Sequence, residues 1–200
     1  MAGEGAARIL RAEDPEVAEL CSSGWEITAR SFAAVLHAKD IRASELMDFL
    51  IGVQPIEIRE LLASDSPAIL ELDHLTESDY PGRAATAHTP LDTETSVATL
   101  EHPGFGAFAE DGRLIGMTFV DVETAHGSAV ADTDFTVVVP EYRGRHIATA
   151  LKAASLLTLT ERGIQVFRTG GSADNTAILS ADARLGYTID EHWVTLERPA

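Results

Sequence analysis

The sequence has one cysteine, few basic residues and no long apolar run, and each shortage excludes a class of protein. Cys21 is the only cysteine among 200 residues, so an intrachain disulfide is impossible. The seven histidines show no H-x-x-x-H or H-x-E spacing, so we expect no metal. No apolar run approaches the roughly 18 residues that a membrane helix needs, and residues 1–20 carry acids where a secretion signal is apolar. We therefore expect a cytoplasmic protein that enters no membrane.

Basic residues are also scarce relative to acidic ones. Lysine and arginine number 15 against 32 aspartates and glutamates, which gives a net charge of -17. Binding to nucleic acid needs clustered basic residues, so we expect no such partner. The net charge is -4 over residues 1–55, -13 over residues 56–134 and 0 over residues 135–200. This distribution suits a protein whose C-terminal third meets an anion and whose middle meets a cation, although acidity for solubility explains it equally well.

The pattern of strand-like and helix-like segments predicts one α/β domain over residues 56–200. The predicted order is β-α-α-β-β-β-α-β-α-β, a mixed central sheet flanked by helices, with the second helix over residues 91–104. Asp111-Gly112, between two apolar runs, is the clearest hairpin signal. Apolar residues at steps of three and four predict a long helix from Gly144 to about Arg162.

Residues 1–55 predict an N-terminal helical extension. The segments 15–38 and 43–52 both read as helices with apolar anchors. A weak internal similarity links RILRAEDPEVAEL with EIRELLASDSPAILEL, since each has a strand-like start, an acidic or serine cap near a proline, and a helix. A degenerate second copy of the domain start is therefore the alternative to a simple extension.

The segment PEYRGRHIATALK predicts a helix start that can hold an anion. The first N–H groups of a helix lack partners, and the helix dipole makes that end partly positive. Gly144 lets the backbone come close to a ligand, while Arg143 and Arg145 add positive charge. An ordinary strand-turn-helix junction with two surface arginines is the other interpretation. Neither G-x-x-x-x-G-K-[ST] nor G-x-G-x-x-G occurs, which excludes a P-loop and a dinucleotide fingerprint.

The longer stretch VVVPEYRGRHIATALK resembles the acetyl-CoA motif of the GCN5-related N-acetyltransferase (GNAT) family, [QR]-x-x-G-x-[GA]. Arg143 falls on its first position and Ala148 on its last, while His146 replaces the central glycine. GIQVFRTGGSADNTAILSADARLGY is similar to the family's next segment, where Asn175 and Leu185-Gly186-Tyr187 match. The element order predicted for residues 56–199 is also the family's. We expect His146 to adopt right-handed helical backbone geometry, which any side chain tolerates.

The resemblance implies acetyl-CoA as cosubstrate, without a metal. It assigns the strand before the motif to the pantetheine arm, the helix start to the pyrophosphate and Asn175 to the thiol end of the arm. The implied cofactor-binding residues are Val137, Val138, Val139, Arg143, Gly144, Arg145, His146, Ile147, Ala148, Thr149 and Asn175.

Acetyl transfer to an amine requires a base, an oxyanion donor and a proton for the departing thiolate. Carboxylates can serve as the base, and the candidate catalytic residues are Asp134, Asp132, Asp121 and Glu123. The candidate substrate-binding residues are Asp73, Asp79, Glu71 and Glu123. The resemblance implies a backbone N–H within residues 137–139 as the oxyanion donor. Asp182 stands where many family members carry a tyrosine acid, and because a carboxyl is ionised unless buried, we assign no general acid.

The resemblance and the acidic middle section together predict an acetyl-CoA-dependent N-acetyltransferase. Its expected substrate is a primary amine of a small cationic molecule, with aminoglycoside modification, and hence antibiotic resistance, as the favoured version. Two alternatives stay open: an N-acetyltransferase of proteins or peptides, and a catalytically inactive GNAT module that binds CoA or a partner. We expect a monomer or a homodimer.

Overall fold

The computed structural model describes residues 7–77, 86, 88–125 and 128–199. One sheet of eight strands runs through the described chain in the order β1-β8-β2-β7-β6-β5-β4-β3. The strands are β1 (Arg8–Arg11), β2 (Glu26–His37), β3 (Glu57–Glu60), β4 (Gly104–Phe108), β5 (Leu114–Ala125), β6 (Ser128–Val138), β7 (Val166–Ser172) and β8 (Thr188–Glu197). The helices are α1 (Pro15–Ser22), α2 (Ala43–Gly52), α3 (Ser66–Thr76), α4 (Ile147–Glu161) and α5 (Thr176–Leu185).

The α/β class with a mixed sheet flanked by helices is confirmed. The six other neighbouring pairs of strands are antiparallel, and β6 and β7 alone run parallel. The predicted hairpin joins β4 to β5, where Gly112 takes a φ of 82° and Asp111 accepts a hydrogen bond from the backbone N–H of Arg113. No helix among the described residues is long and apolar enough to cross a membrane.

Residues 26–37 form a long strand where the sequence suggested a helix. Helix α1 ends at Ser22, and Gly24 with a φ of 86° turns the chain into β2. Within β2 the buried residues Phe32, Ala34 and Leu36 alternate with more exposed ones, which is the period of a strand. Because β2 pairs with β7 on one side and β8 on the other, its backbone N–H and C=O groups find hydrogen-bond partners on both edges. The helical prediction for this segment is wrong, and residues before 56 supply an inner strand of the sheet.

A second predicted helix does not form, and another begins later than predicted. Residues 91–104 form turns and the start of β4 rather than a second helix. Helix α4 begins at Ile147 instead of Gly144, because residues 140–142 form a short 3-10 turn first. His146, the residue before α4, has a φ of 63° and a ψ of 14°, so the expected right-handed geometry is also wrong. It adopts the left-handed conformation that glycine, the family's residue at this position, adopts without steric cost.

The separation of β6 from β7 creates the main opening in the sheet. The two strands pair only from Val130 opposite Val166 to Asp132 opposite Arg168. Beyond that point both strands continue, but they are no longer partners. Strand β6 keeps its pairing with β5, with a bulge at Asp134, because Phe135 lies opposite Phe119 and Thr133 lies opposite Val120. The edge of β6 that faces away from β5 is therefore unpaired from about residue 133 onward.

The core lies between the sheet and helices α2, α3 and α4. Helix α4 is buried along most of its length, and its residues Ile147, Ala150, Leu151 and Leu156 are almost fully covered. Leu36 of β2 belongs to the same buried cluster and lies next to Gly186, the left-handed residue that ends α5. The segment before residue 56 is thus part of the same packing unit as the strands that follow it.

Replacing Leu36 by alanine tests this packing. Leu36 is 3% exposed, so the change should lower the free energy of unfolding by about 2–5 kcal/mol through lost burial and a cavity. Denaturant unfolding measures the loss. Ile51→Ala, at a side chain 58% exposed, is the matched control and should change stability by about 0.5 kcal/mol or less. A Leu36→Ala effect as small as the control would contradict the placement of β2.

The backbone of His146 gives a second prediction. In the left-handed region alanine is less favourable than glycine by about 1–2 kcal/mol, which outweighs glycine's greater loss of chain entropy on folding. Thermal unfolding of His146→Gly and His146→Ala should therefore show the glycine variant to be the more stable. The same pair of changes at His37, where φ is -96°, should give the opposite order. An alanine variant at least as stable as the glycine variant at position 146 would refute the assigned conformation.

Candidate functional site

A cleft of about 710 Å³ lies where β6 and β7 separate. Its walls come from the end of β6, the turn into α4, the first turn of α4 and helix α5. Among the residues predicted to bind acetyl-CoA, the cleft is lined by Val137, Val138, Arg143, Gly144, His146, Ile147, Ala148, Thr149 and Asn175. Val139 and Arg145 are not part of the lining: Val139 is buried in the core, and Arg145 packs over the ring of Tyr142.

Positive charge reaches this cleft from two arginines and a helix start. The Nε of Arg143 donates to the carbonyl of Val138 at 2.8 Å, which holds the side chain along the end of β6. Arg184 of α5, which the sequence interpretation missed, lies on the opposite wall and contacts Nδ1 of His146 at 3.0 Å. The first turn of α4 directs backbone N–H groups toward the same space. This combination of dipole and guanidinium groups suits an anion such as a phosphate.

A second cavity, of about 910 Å³, is lined by residues of the same two separated strands. Both cavities are lined by Thr136, Ser172, Asn175 and Ile178, so the two spaces meet at these residues. Asn175 is the N-cap of α5, where its side chain accepts a hydrogen bond from the N–H of Ile178 at 3.2 Å. A molecule in the first cleft and a molecule in the second cavity can therefore touch at this junction.

The second cavity is acidic. Asp121, Glu123, Asp132 and Asp134, the four predicted catalytic residues, all line it. Among the described residues that line it, the two lysine and arginine side chains have acidic partners of their own: Arg168 pairs with Asp190 at 3.1 and 3.2 Å, and Lys152 pairs with Asp182. The remaining carboxylates leave the cavity with an excess of negative charge.

Burial and crowding perturb two of these carboxyl groups. Burial raises the pKa of Asp134, and the charge of Asp121 adds to the rise, while His102 and His88 oppose it. Burial also raises the pKa of Asp132, with Arg168 opposing the rise and Asp121, Asp134 and Glu123 adding to it. Each of these groups binds a proton more readily than an ordinary aspartate, which is a property of a general base.

His102 joins the acidic group at the end of β5. Its Nδ1 lies 2.6 Å from Asp121 and its Nε2 lies 4.0 Å from Asp134, while its ring stacks on Phe119 at 4.9 Å. Among the described residues these three could hold a metal ion, since one ligand atom from each lies within 4.8 Å of the others. The hydrogen bond between His102 and Asp121 accounts for their proximity without a metal.

Asp73, a predicted substrate-binding residue, lines neither cavity. It is buried in α3, where one oxygen lies 2.6 Å from Nε2 of His88 and the other accepts the backbone N–H of Leu91 at 2.8 Å. His88 lines the second cavity, with its ring 4.6 Å from that of Phe135. Asp73 thus orients a histidine of the site instead of facing the cavity itself, and the sequence offered no motif for that histidine.

Other residues differ from the sequence interpretation in simpler ways. Glu71 is exposed on α3 and lines neither cavity, and Asp79 lies outside the described residues. The second cavity also includes residues from the first strands of the chain and from β8, and the sequence interpretation missed all of them: Ile9, Ser31, Phe32, Ala33 and Trp193. The segment expected to be an extension therefore forms part of the site wall.

Asp182 is buried and paired, which the sequence could not show. It accepts a hydrogen bond from Nζ of Lys152, whose side chain is also fully buried. Burial raises the pKa of Asp182 against the opposing effect of Lys152, and burial lowers the pKa of Lys152. Asp182 lines neither cavity, whereas Lys152 lines the second one. The residue at the position of the family's tyrosine is therefore a partner of a lysine, not a group facing the cleft.

Comparison with characterised sequences gives a family match over the site. The model of the acetyltransferase (GNAT) family matches residues 69–187. A mycothiol acetyltransferase from Arthrobacter sp. (strain FB24) is 27% identical over 127 residues, which cover 62% of this chain and 39% of that protein. The chain thus spans about two fifths of the length of this curated relative.

Solved structures with the same fold support the match. A GCN5-related N-acetyltransferase from Sphaerobacter thermophilus has a TM-score of 0.67 and 17% identity, over 97% of this chain and 60% of that one. An aminoglycoside acetyltransferase from an uncultured soil metagenomic sample has a TM-score of 0.56 and 16% identity, over 66% of this chain and 87% of that one. Since the family model covers more than half of the chain, including α4, β7 and α5, this chain belongs to the GCN5-related N-acetyltransferase (GNAT) family.

Proposed function

We propose that this chain is an acetyl-CoA-dependent N-acetyltransferase that acts on a primary amine of a small cationic molecule. The observation that carries the proposal is the junction of two cavities of opposite charge at the separated strands β6 and β7. One cavity offers arginines and a helix start to an anion, and the other offers carboxylates to a cation. The mycothiol acetyltransferase relative is an acetyltransferase by name, which agrees with this assignment.

The residues of the first cleft fit acetyl-CoA. The unpaired edge of β6 presents backbone groups to an extended chain such as the pantetheine arm. Arg143, Arg184 and the first turn of the 15-residue helix α4 suit the pyrophosphate. Gly144, with a φ of 73°, has no atoms within 4 Å of where a Cβ would lie, so the backbone is open to a ligand. When bound, acetyl-CoA supplies an activated acetyl thioester.

The second cavity fits a small cationic amine. Four carboxylates attract and orient positive charge, while Phe32, Phe135 and Trp193 offer apolar surface to the body of the molecule. An amino sugar of the aminoglycoside type has both properties, and we place it first among the substrates to be tested. Spermidine and other polyamines have the charge without the ring.

Asp134 and Asp132 are our candidates for removing the proton from the amine. An alkyl ammonium with a pKa of about 10 needs a base before it can attack. Both side chains line the cavity, and their raised pKa values improve their match to this role. Asp134 also sits at the bulge of β6, a distortion that re-aims a side chain next to many active sites.

Val138 is our candidate for the oxyanion donor. The N–H of Val139 donates to the carbonyl of Ile115 in β5 at 2.9 Å, so it is directed away from the cleft. Because successive N–H groups of a strand point to opposite edges, the N–H of Val138 faces the unpaired edge of β6. A backbone donor there needs no reorganisation to meet developing negative charge.

The release of free CoA, followed with a thiol reagent, tests the proposed function across a panel of amines. The panel contains aminoglycosides, simple amino sugars, polyamines and lysine-containing peptides. We expect turnover with the small cationic amines and little with the peptides. Turnover confined to peptides would favour peptide N-acetylation, and acetyl-CoA binding without turnover on any amine would favour an inactive binding module. No binding of acetyl-CoA would refute the proposal.

Asp134→Asn should lower kcat/KM by about 100-fold or more, since it removes a general base without changing the size of the side chain. On acidification the wild-type protein should lose activity at a higher pH than it would with an ordinary aspartate as the base, because the pKa of Asp134 is raised. That acidic limb should be lost or displaced in the variant. Asp48→Asn, at an exposed position on α2, is the control and should keep the wild-type profile. Equal activity of both variants would exclude Asp134 as the base.

Arg184→Met should weaken acetyl-CoA binding about tenfold, which corresponds to one charge-assisted hydrogen bond of about 1.5 kcal/mol. Calorimetric titration at two salt concentrations measures the effect, and the loss should shrink at high salt as screening grows. Arg42→Met, at a side chain 75% exposed and far along the chain from the cleft, should bind as the wild type does. An unchanged affinity for Arg184→Met would remove this arginine from the anion site.

A further inference from the structure

Lys152 is a buried cation at the point where the strands separate. It is one of only two lysines in the chain, and its side chain is 1% exposed. It rises from α4 beneath the sheet, and Nζ donates to Oγ1 of Thr169 at 2.8 Å. Thr169 directly follows Arg168, which is the last residue of β7 paired with β6. The ammonium group therefore lies at the apex of the opening between the two strands.

Two carboxylates and an aromatic ring lie close to the ammonium group of Lys152. Asp182 of α5 forms an ion pair with it, and the ring centroid of Tyr187 lies 5.2 Å from Nζ. From β6, the carboxylate of Asp132 acts on it through space. These are the titratable groups that face Lys152 from the neighbouring elements in the described part of the chain. The second oxygen of Asp182 is buried without a hydrogen-bond partner in that part, so Lys152 is the main compensation for its charge.

Stability alone does not account for this pair. Removing two charges from water costs several kcal/mol per ion, and apolar residues of similar volume are often equally stable or more stable in their place. The buried residues one turn away from Lys152 on the same face of α4 are Thr149, Ser155 and Leu156, and none of them carries a charge. A leucine or methionine would suit this helix face, so the lysine needs another explanation.

The position of Lys152 relative to the two cavities offers an explanation for the presence of a lysine. Lys152 and Thr169 both line the second cavity, and Ser172, three residues further along β7, lines both cavities. With acetyl-CoA in the first cleft and the amine in the second, the thioester lies at the junction. Lys152 then approaches that junction from the helix side of the sheet, whereas Asp132 and Asp134 belong to the strand β6.

We propose that Lys152 is the general acid of the reaction, and that it donates a proton to the CoA thiolate while Asp182 holds it in place. This inference rests on the proposed function. The amine nitrogen forms a bond to the carbonyl carbon, and the carbon–sulfur bond breaks with its electron pair on sulfur. The sulfur takes a proton from the Lys152 ammonium, which becomes a neutral amine. Lys152 regains a proton from solvent after the products leave. The substrate ammonium loses two protons, one before attack and one from the nitrogen once it is bonded to the carbonyl carbon, and both pass through the base to solvent.

The direction in which the pKa of Lys152 is shifted agrees with this role. Burial lowers it below the ordinary value of a lysine, while Asp182 and then Asp132 oppose that effect. A lowered pKa brings the ammonium closer to a thiol, whose pKa is about 8.5, and makes the proton transfer easier. Tyr187 is a poorer donor, because burial and the charges of Asp182 and Asp132 raise its pKa.

The first test measures the thiol of bound CoA, which requires no knowledge of the amine. An ammonium group near the sulfur stabilises the thiolate, so the thiol pKa of CoA should fall by about one unit or more on binding. Ultraviolet absorbance of the thiolate follows this titration. In the double variant Lys152→Met/Asp182→Asn, which leaves no unpaired buried charge, the thiol pKa should return toward that of free CoA. Lys39→Met changes the other lysine, which is exposed, and should keep the wild-type value.

The second test compares two acetyl donors. With acetyl-CoA the double variant should lose about 100-fold in kcat, whereas its affinity for acetyl-CoA should stay within about twofold. With the selenium analogue of acetyl-CoA, whose selenolate leaves without needing a proton, the loss should be only a few-fold. This contrast separates proton donation from a merely structural role, which would slow both donors equally.

The outcomes that overturn the proposal differ from those that overturn the proposed function. If CoA binds with an unshifted thiol pKa, if the double variant keeps the shift, or if both donors lose rate equally, Lys152 is not the acid. If neither CoA nor acetyl-CoA binds, the proposed function fails and this inference fails with it.

Discussion

The separation of β6 from β7 after a few paired residues is the constraint on which the site depends. Paired strands satisfy each other's backbone groups, and the loss of pairing beyond Asp132 and Arg168 leaves an open edge in the middle of a sheet. Two cavities lie along this opening, and four residues line both of them. The flanking strands keep the opening rigid, since β5 holds β6 along its length and β2 holds β7. Under the proposed function, the two reactants would occupy cavities with a common wall and meet in a fixed orientation, which is a main source of catalytic rate.

The charges follow the same division. The guanidinium groups and the helix start line the first cleft, and the carboxylates line the second cavity. Lys152, paired with the buried Asp182, also lines the second cavity and donates to Thr169, the residue after the last paired position of β7. The same division is present along the sequence, where residues 135–200 are neutral overall and residues 56–134 carry a net charge of -13.

The sequence predicts the local features of this structure well and the long-range ones poorly. The turn at Asp111-Gly112 depends on neighbouring residues alone, and it is found where the sequence predicts it. The apolar residues of β2 fit the period of a helix as well as that of a strand, so the sequence alone predicts a helix. Only the pairing of β2 with β7 and β8 decides for the strand. The contacts of Lys152 with Asp182 and of Asp73 with His88 join segments that are distant in the sequence, so no local motif predicts them. His146 is intermediate, because the family resemblance marked its position but not its left-handed backbone.

Acetyl transfer at the junction of the two cavities is our proposal, and a crystal structure with acetyl-CoA would show whether the thioester reaches that junction. If this proposal is right, the pantetheine arm lies along the open edge of β6, the pyrophosphate lies at the first turn of α4, and the thioester lies between Val138 and Asn175 with its sulfur toward Lys152. A bound acetyl-CoA whose thioester lies away from that junction, or outside the cleft altogether, would contradict it.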